Sequence, residues 1–250
     1  MKLSIIIPTL NESQYLPATI HSIREQAVLR EHHEVIVVDC GSTDGTVNIA
    51  LQLGVIPIQM EYTLTGRAFA LNKGAEVATG NVFLFLDADT LPPVGYDEAI
   101  QSALEDPGIV GGAFEFALDG RGFGLRLVEL INRLRYRISQ RYYGDQGIFV
   151  RANVFRMYGG YPPRRILEAA YFCTSLKRIG KLTLIKKPMK TSPRRFLEGG
   201  VYSVLAKDIK IWCLDLMGKP VDRYADSYWG ENLRGKGKNQ TLNSHTVKHG

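Results

Sequence analysis

"NVFLFLDADTLPP", residues 81–93, runs five apolar residues into two carboxylates one alanine apart, and then into a pair of prolines. An apolar run without alternation suits a strand covered on both faces, as in a parallel sheet flanked by helices. On an extended backbone, residues two apart project to the same side. Asp87 and Asp89 are therefore expected to face one site, while Ala88 turns into packing. Two neighbouring carboxylates repel unless a cation joins them. A hard divalent ion, Mn²⁺ or Mg²⁺, held by one or two carboxylates and completed by phosphate oxygens and water, suits the pair.

Two earlier segments follow the same pattern, "LSIIIPTLNES" (3–13) and "EVIVVDCGSTDGT" (34–46). Helix-like stretches accompany them: "SQYLPATIHSIREQA" (13–27), "STDGTVNIALQLG" (42–54) and "GRAFALNKGAEVATG" (66–80). Ser42, Thr43 or Asp44 is placed to cap the second helix and Gly54 to end it. Strands alternating with helices predict an α/β fold with a Rossmann-like, mostly parallel sheet, in which ligands bind at the carboxyl ends of the strands. The polar strand ends then share one rim.

Beyond a strand in "EDPGIVGGAFEFAL" (105–118), the character changes. "FGLRLVELINRLRYRISQRYY" (123–143) places Leu127, Leu130, Ile131, Leu134 and Ile138 on one helical face, and Arg126, Arg133 and Arg137 on another. There follow a strand, a short helix and a glycine turn in 144–163, a helix in 167–180, a strand in 181–187 and a last helix over 201–217. Residues 230–250 lack apolar periodicity and read as a flexible tail.

With 250 residues and 45% hydrophobic content, residues 1–229 can form a single domain with a substantial core. Cys40, Cys173 and Cys213 are odd in number and widely spaced, which argues against a disulfide framework or a zinc site and for a reducing cytoplasm. "MKLSIIIPTLNES" is too short for a secretory leader. No stretch reaches the roughly 18 apolar residues of a membrane span, so the chain is expected to be soluble, or peripheral at the inner face of a membrane. The net charge of +6 hides an asymmetry: residues 1–110 carry 5 basic against 14 acidic side chains, and residues 111–250 carry 26 against 11. The second half therefore faces anions. No recognition helix, finger or ribonucleoprotein signature supports nucleic acid as that anion. The arginine-rich helix near 121–141 points instead to an anionic membrane surface or a lipid acceptor.

In order, "IIIPTLNES", "VIVVDCGSTDGT", "GRAFALNKGAEVATG" and "FLFLDADT" resemble the nucleotide-sugar half of family 2 glycosyltransferases with the GT-A fold. "GDQGIFVRANVFRMYGGYP" and "TSPRRF" resemble a bacterial subgroup of transferases associated with radical-SAM and selenium-related proteins. The resemblance implies an inverting, metal-dependent transferase that takes a nucleoside-diphosphate sugar, a UDP-sugar, with residues 1–110 as the donor half and 111–229 as the acceptor half. Asp87 and Asp89 would hold Mn²⁺ or Mg²⁺, and Asp87 and Ala88 would touch the donor. Pro8, Thr9, Asn11 and Glu12 correspond to the loop against the nucleoside, and Asp39 to the acid that accepts a uracil N–H. Gly66 and Arg67 open a helix whose free N–H groups and guanidinium favour a phosphate or a nucleobase edge, with Asn72 and Gly74 one to two turns on. Asp145 and Gln146 match the segment between donor and acceptor, and Arg194 and Arg195 the basic motif near the leaving diphosphate.

The family's general base is the Asp of a Glu-Asp pair that opens the helix after "GGY". Here that position is Ala169. Glu168 lies one residue before it, about 100° around a helix. Glu168 is then the first candidate for the base and Asp145 the second. Two further readings follow: a nucleotide-sugar-binding pseudoenzyme, and a sugar-nucleotide pyrophosphorylase, whose glycine-rich first loop is missing from "IIIPTLNES". Aspartate-nucleophile phosphatases also place D-x-D after a strand, but on the first strand and with Thr or Val where Leu91 stands here.

Overall fold

The computed structural model describes residues 1–29, 33–60 and 66–225; the tail expected at 230–250 lies outside them. The three apolar runs form β1 (Leu3–Thr9), β2 (His33–Asp39) and, after β3 (Ile56–Gln59), β4 (Val82–Phe85). Strand β1 is the axis of this half. It pairs parallel with β2 on one side, Thr9 opposite Asp39, and with β4 on the other, Ile6 opposite Phe85. Ile5, Ile6, Ile7, Ile36, Val37, Val38, Phe83 and Leu84 are fully buried, because helices cover both faces. The covering helices are α1 (Leu16–Gln26), α2 (Thr46–Gln52), α3 (Gly66–Val77) and α4 (Tyr96–Ala103). Strand β3 and helix α4 carried no clear sequence signal.

The remaining elements are β5 (Thr90–Leu91), β6 (Ile109–Leu118), α5 (Phe123–Ser139), β7 (Ile148–Arg151), α6 (Ala152–Tyr158), α7 (Glu168–Leu176), β8 (Lys181–Thr191), α8 (Arg194–Gly199) and α9 (Val201–Leu216). They complete one eight-stranded sheet in the order β3-β2-β1-β4-β7-β6-β8-β5. Strand β7 is antiparallel to both β4 and β6, whereas β6 and β8 run parallel. Strands from the second half thus sit between strands from the first, and a boundary at residue 110 falls inside β6.

Two expectations change. Gly45, with a φ of 88°, holds the position before helix α2 in place of Ser42 or Thr43, while Asp44 Oδ1 accepts the N–H of Thr46, the first residue of the helix, at 3.1 Å. Helix α5 meets the core through Leu125, Val128, Glu129 and Tyr136, while Leu130, Leu134 and Ile138 are exposed. The apolar face read from the sequence is largely the outer one.

Candidate functional site

The loops after β1 and β2 are fastened to each other at the carboxyl rim of the sheet. Asn11 N–H donates to Ser42 Oγ at 2.8 Å and Thr43 N–H returns a bond to Asn11 Oδ1 at 2.8 Å. Glu12 N–H reaches Thr46 Oγ1 at 2.9 Å and Ser13 N–H reaches Asp44 Oδ2 at 3.0 Å. Asn11 accepts a φ of 58°, a region its short amide tolerates, and so turns its backbone into this zipper. With several donors on its carboxylate, Asp44 is held down at about 2. Asp39 is buried, and its oxygens accept from Gly41 N–H, Ser42 N–H, Ser42 Oγ–H and Thr9 Oγ1–H. It braces the loop from beneath, with both oxygens engaged within the loops after β1 and β2. Pro8 is half-buried beside it, opposite Val38.

Strand β4 stops at Phe85, and Asp87 to Asp89 form a turn closed by Thr90 N–H on Asp87 C=O at 3.1 Å. The two carboxylates, expected side by side on an extended strand, are instead held by separate arginines. Arg67 places Nε and Nη2 at 3.0 and 2.6 Å from Asp87 Oδ1, and its Nη1 bonds Glu168 Oε1. Arg194 places Nη2 2.6 Å from Glu12 Oε1 and Nε 3.1 Å from Asp89 Oδ2, with its guanidinium 4.4 Å above the Tyr15 ring. Gly66, with φ 60°, turns the chain into α3 and sets Arg67 on its first turn, where the guanidinium looks inward. Glu168 reaches the site from the first position of α7 because Leu167, just before it, adopts a left-handed φ of 59°. That conformation costs a non-glycine residue about 1–2 kcal/mol. Ala169, the next residue, packs into the core.

Burial and the adjacent charge of Asp87 push the Asp89 carboxyl up to about 7, against the opposing effect of Arg194. Burial likewise raises Glu12, whose Oε2 is buried without a hydrogen-bond partner. This corner is crowded with hard oxygen donors whose mutual repulsion a divalent cation relieves, so its chemistry fits Mn²⁺ or Mg²⁺. Among the described residues no group of three or more His, Cys, Asp or Glu could hold a metal alone. An ion that takes its other ligands from a diphosphate and water needs no such group.

Asp145 lies in the short 3₁₀ turn Gly144–Gln146. Its Oδ1 is buried without a partner, and burial pushes its carboxyl up to about 6; Asp87 adds to the rise, while Arg135, Arg195 and Arg67 oppose it. Asp145 borders a pocket walled by Arg135, Phe196, Asp208 and Trp212, between α5 and α9. Arg135 stands 3.6 Å over the Tyr143 ring with its Nε buried and unbonded.

Several residues expected at the donor make structural contacts. Asn72 donates to Tyr161 C=O at 3.0 Å and accepts from Tyr161 N–H at 2.8 Å, so both ends of its amide are used to hold that backbone. Gly74 is a packing residue: a Cβ there would lie 2.4 Å from Ile6 Cγ2 and 3.0 Å from Val38 Cγ2. Ala88 packs in the core and its carbonyl accepts from Thr19 Oγ1 at 2.7 Å. Gln146 is fully buried and spans Tyr143 N–H and Phe114 C=O. Arg195 turns to Asp208 of α9, away from Asp89. Sequence reading missed Tyr15, Arg135 and Tyr161, whose buried hydroxyl has no partner and whose ring lies 4.3 Å from that of Phe172. A tyrosine or arginine outside a motif carries no signal until the fold places it.

Residues 4–159 match the model of Glycosyl transferase family 2. The glycosyltransferase AglE of Haloferax volcanii is 30% identical over 168 residues, which span 64% of this chain and 55% of that protein. A PGL/p-HBAD biosynthesis glycosyltransferase of Mycobacterium tuberculosis is 44% identical over 90 residues, 34% of each chain. The chain thus spans little more than half the length of these relatives, or less. Among solved structures, the mannosyltransferase PcManGT from Pyrobaculum calidifontis, in complex with GDP-Man and Mn²⁺, superposes with a TM-score of 0.58 and 25% identity, over 76% of this chain and 56% of its own. Glucosyl-3-phosphoglycerate synthase from Mycobacterium tuberculosis, with Mn²⁺, UDP-glucose and phosphoglyceric acid, gives 0.62 and 21% identity, over 88% and 80%, and is a likeness of fold.

Proposed function

The chain belongs to glycosyl transferase family 2, and from that membership we propose that it moves a sugar from a nucleoside-diphosphate sugar, a UDP-sugar, to an acceptor hydroxyl with inversion. The observation that carries this reading is the Asp87–Asp89 turn, met at the sheet rim by Arg67 from α3 and Arg194 from α8. The zippered loops around Asn11 and Glu12 offer the nucleoside a rigid wall. Arg194, already set against Glu12 and Asp89, is placed to take a diphosphate oxygen and to offset charge on the leaving group. A divalent ion held by Asp87 and Asp89 would add Lewis-acid stabilisation to the same leaving group.

Of the two base candidates, the geometry favours Asp145. Glu168 spends an oxygen on Arg67 and so positions that guanidinium against Asp87, whereas Asp145 keeps Oδ1 unbonded beside a pocket. Asp145 would receive the proton of the acceptor hydroxyl as the new glycosidic bond forms. A carboxylate in this place also speaks against a pseudoenzyme. The segments at 144–162 and 191–196 support the finer likeness to the radical-SAM-associated transferases. Cys40, Cys173 and Cys213 are free thiols, in keeping with a cytoplasmic setting.

The test is a thermal-shift titration with UDP and GDP, with and without Mn²⁺. Saturation at about 100 times Kd adds about 2.7 kcal/mol and is expected to raise the midpoint by roughly 5–10 °C. Asp89→Asn should abolish the part that needs Mn²⁺. No shift with any nucleotide, or an undiminished Mn²⁺-dependent shift in Asp89→Asn, would overturn the donor site.

A further inference from the structure

Helix α5 is apolar on two opposite sides. Its inner side, Leu125, Val128 and Tyr136, is buried. Its outer side carries Phe123, Leu130, Leu134 and Ile138, exposed by 80%, 52%, 55% and 82%. At 100° per residue these four fall within an arc of about 80°, directly opposite the buried residues. Arg126, Arg133 and Arg137 form the adjoining strip, with side chains 51%, 42% and 52% exposed. Exposed Arg121 precedes the helix. The three arginines of the strip pair with two carboxylates, Glu129 and Glu115, so the strip keeps a positive excess after these ion pairs are counted.

Helix α9 repeats the arrangement beside it. Tyr202, Ile209 and Leu216 are exposed along one side, spaced at seven residues, and exposed Lys210 flanks them about 80–120° round the helix. Its first turn lies against α5, since a Cβ at Gly124 would sit 3.0 Å from Val201 Cγ1 and 3.7 Å from Tyr202 Cζ. An apolar stripe bordered by guanidinium and ammonium groups matches the two layers of an anionic lipid surface, acyl boundary and headgroup. A water-facing helix gains nothing from four large apolar side chains in a row. Among the described residues no helix is long and apolar enough to cross a membrane, so the contact would be peripheral.

We propose that the outer faces of α5 and α9 dock on an anionic lipid surface, and that the pocket beside Asp145, which opens between these two helices, receives acceptor hydroxyls from that surface. The docking clause stands on the exposed stripe and its charge; the acceptor clause rests on the transferase reading above. Co-sedimentation with phosphatidylglycerol–phosphatidylcholine vesicles tests the first. At low salt, binding is expected to exceed that to phosphatidylcholine alone by about tenfold or more and to weaken as salt screens the arginines. The double variant Leu134→Glu/Ile138→Glu is expected to bind about tenfold less or weaker still. An unchanged nucleotide-induced thermal shift would show it folded. Absence of vesicle binding at low salt, or binding that the double variant leaves intact, would overturn the proposal. So would a dimer in light scattering that the double variant dissociates, because the stripe would then belong to a second copy of the chain. If wild type binds vesicles but no nucleotide, the transferase reading fails and the docking surface stands; nucleotide binding without vesicle binding is the converse.

Discussion

On the proposed reading, Asp145 would concentrate the chemistry of the acceptor side in one carboxyl group. Burial raises it to about 6, with Asp87 adding to the rise and Arg135, Arg195 and Arg67 working against it. As a base it must be ionised, so kcat/KM is expected to fall as pH drops through about 6, with general-base assistance worth roughly 10²- to 10⁴-fold. Asp145→Asn should remove that limb together with most of the rate; a full pH profile in the variant would exclude Asp145 as the base. The stability effect has the opposite sign. A carboxyl raised in the folded state destabilises it above the folded value, and the penalty vanishes below the ordinary value of 3.8. Asp145→Asn should therefore melt a few degrees higher at pH 8 and unchanged at pH 3.5. Glu168→Gln separates the two carboxylates: as a positioning residue it should weaken Mn²⁺-dependent nucleotide binding through Arg67 and leave the acidic limb of the rate profile in place. The carboxylates proposed for the site stood out in the sequence as D-A-D and as Glu168 beside Ala169. Their partners did not, because Arg67 lies 20 residues from Asp87 and 101 from Glu168, and only packing joins them.

At the scale of elements, α3 is the part whose fit would decide the proposed donor site. Its contact with β1 and β2 runs through Gly74, where the helix backbone approaches Ile6 and Val38 too closely for a side chain. Gly74→Val is expected to cost about 1–3 kcal/mol by overpacking, which would lower the midpoint by roughly 3–10 °C. Because the same helix carries Arg67 at its start, nucleotide affinity should fall with stability. A variant as stable as wild type would mean that α3 can move off the sheet without loss. Gly74 was expected to touch the donor; a glycine in a helical pattern does not reveal whether a ligand or neighbouring side chains, here Ile6 and Val38, require it. The two faces of α5 illustrate the same limit. Periodicity located an apolar face correctly, but a helix apolar on opposite sides does not declare which side the core will take. The sheet decided this by meeting Leu125, Val128 and Tyr136.

For the whole molecule, the interleaved sheet has a thermodynamic consequence. Strand β7 lies between β4 and β6, and β5 pairs with β8, so neither half can unfold without breaking ladders that belong to the other. Calorimetry is expected to give one transition that nucleotide and Mn²⁺ shift as a unit; two transitions, one of them indifferent to nucleotide, would overturn that expectation. The acidic first half and the basic second half meet at the Arg194 bridge to Glu12 and Asp89, where residues more than 100 positions apart share one charge network. By itself the sequence determined most of the elements of this protein and the acidic character of its rim: short β-branched and aromatic apolar runs suit buried strands, and acids follow those strands. It also determined the excess of positive charge on the second half. Only the tertiary structure decided which acids are free and which are spent. Asp39 is engaged by its own loop, Asp89 and Glu12 share one arginine, Asp145 keeps an unbonded oxygen, and the described residues leave the outer side of α5 uncovered. Each of these depends on which side chain arrives from a distant segment, and local sequence carries no record of that arrival.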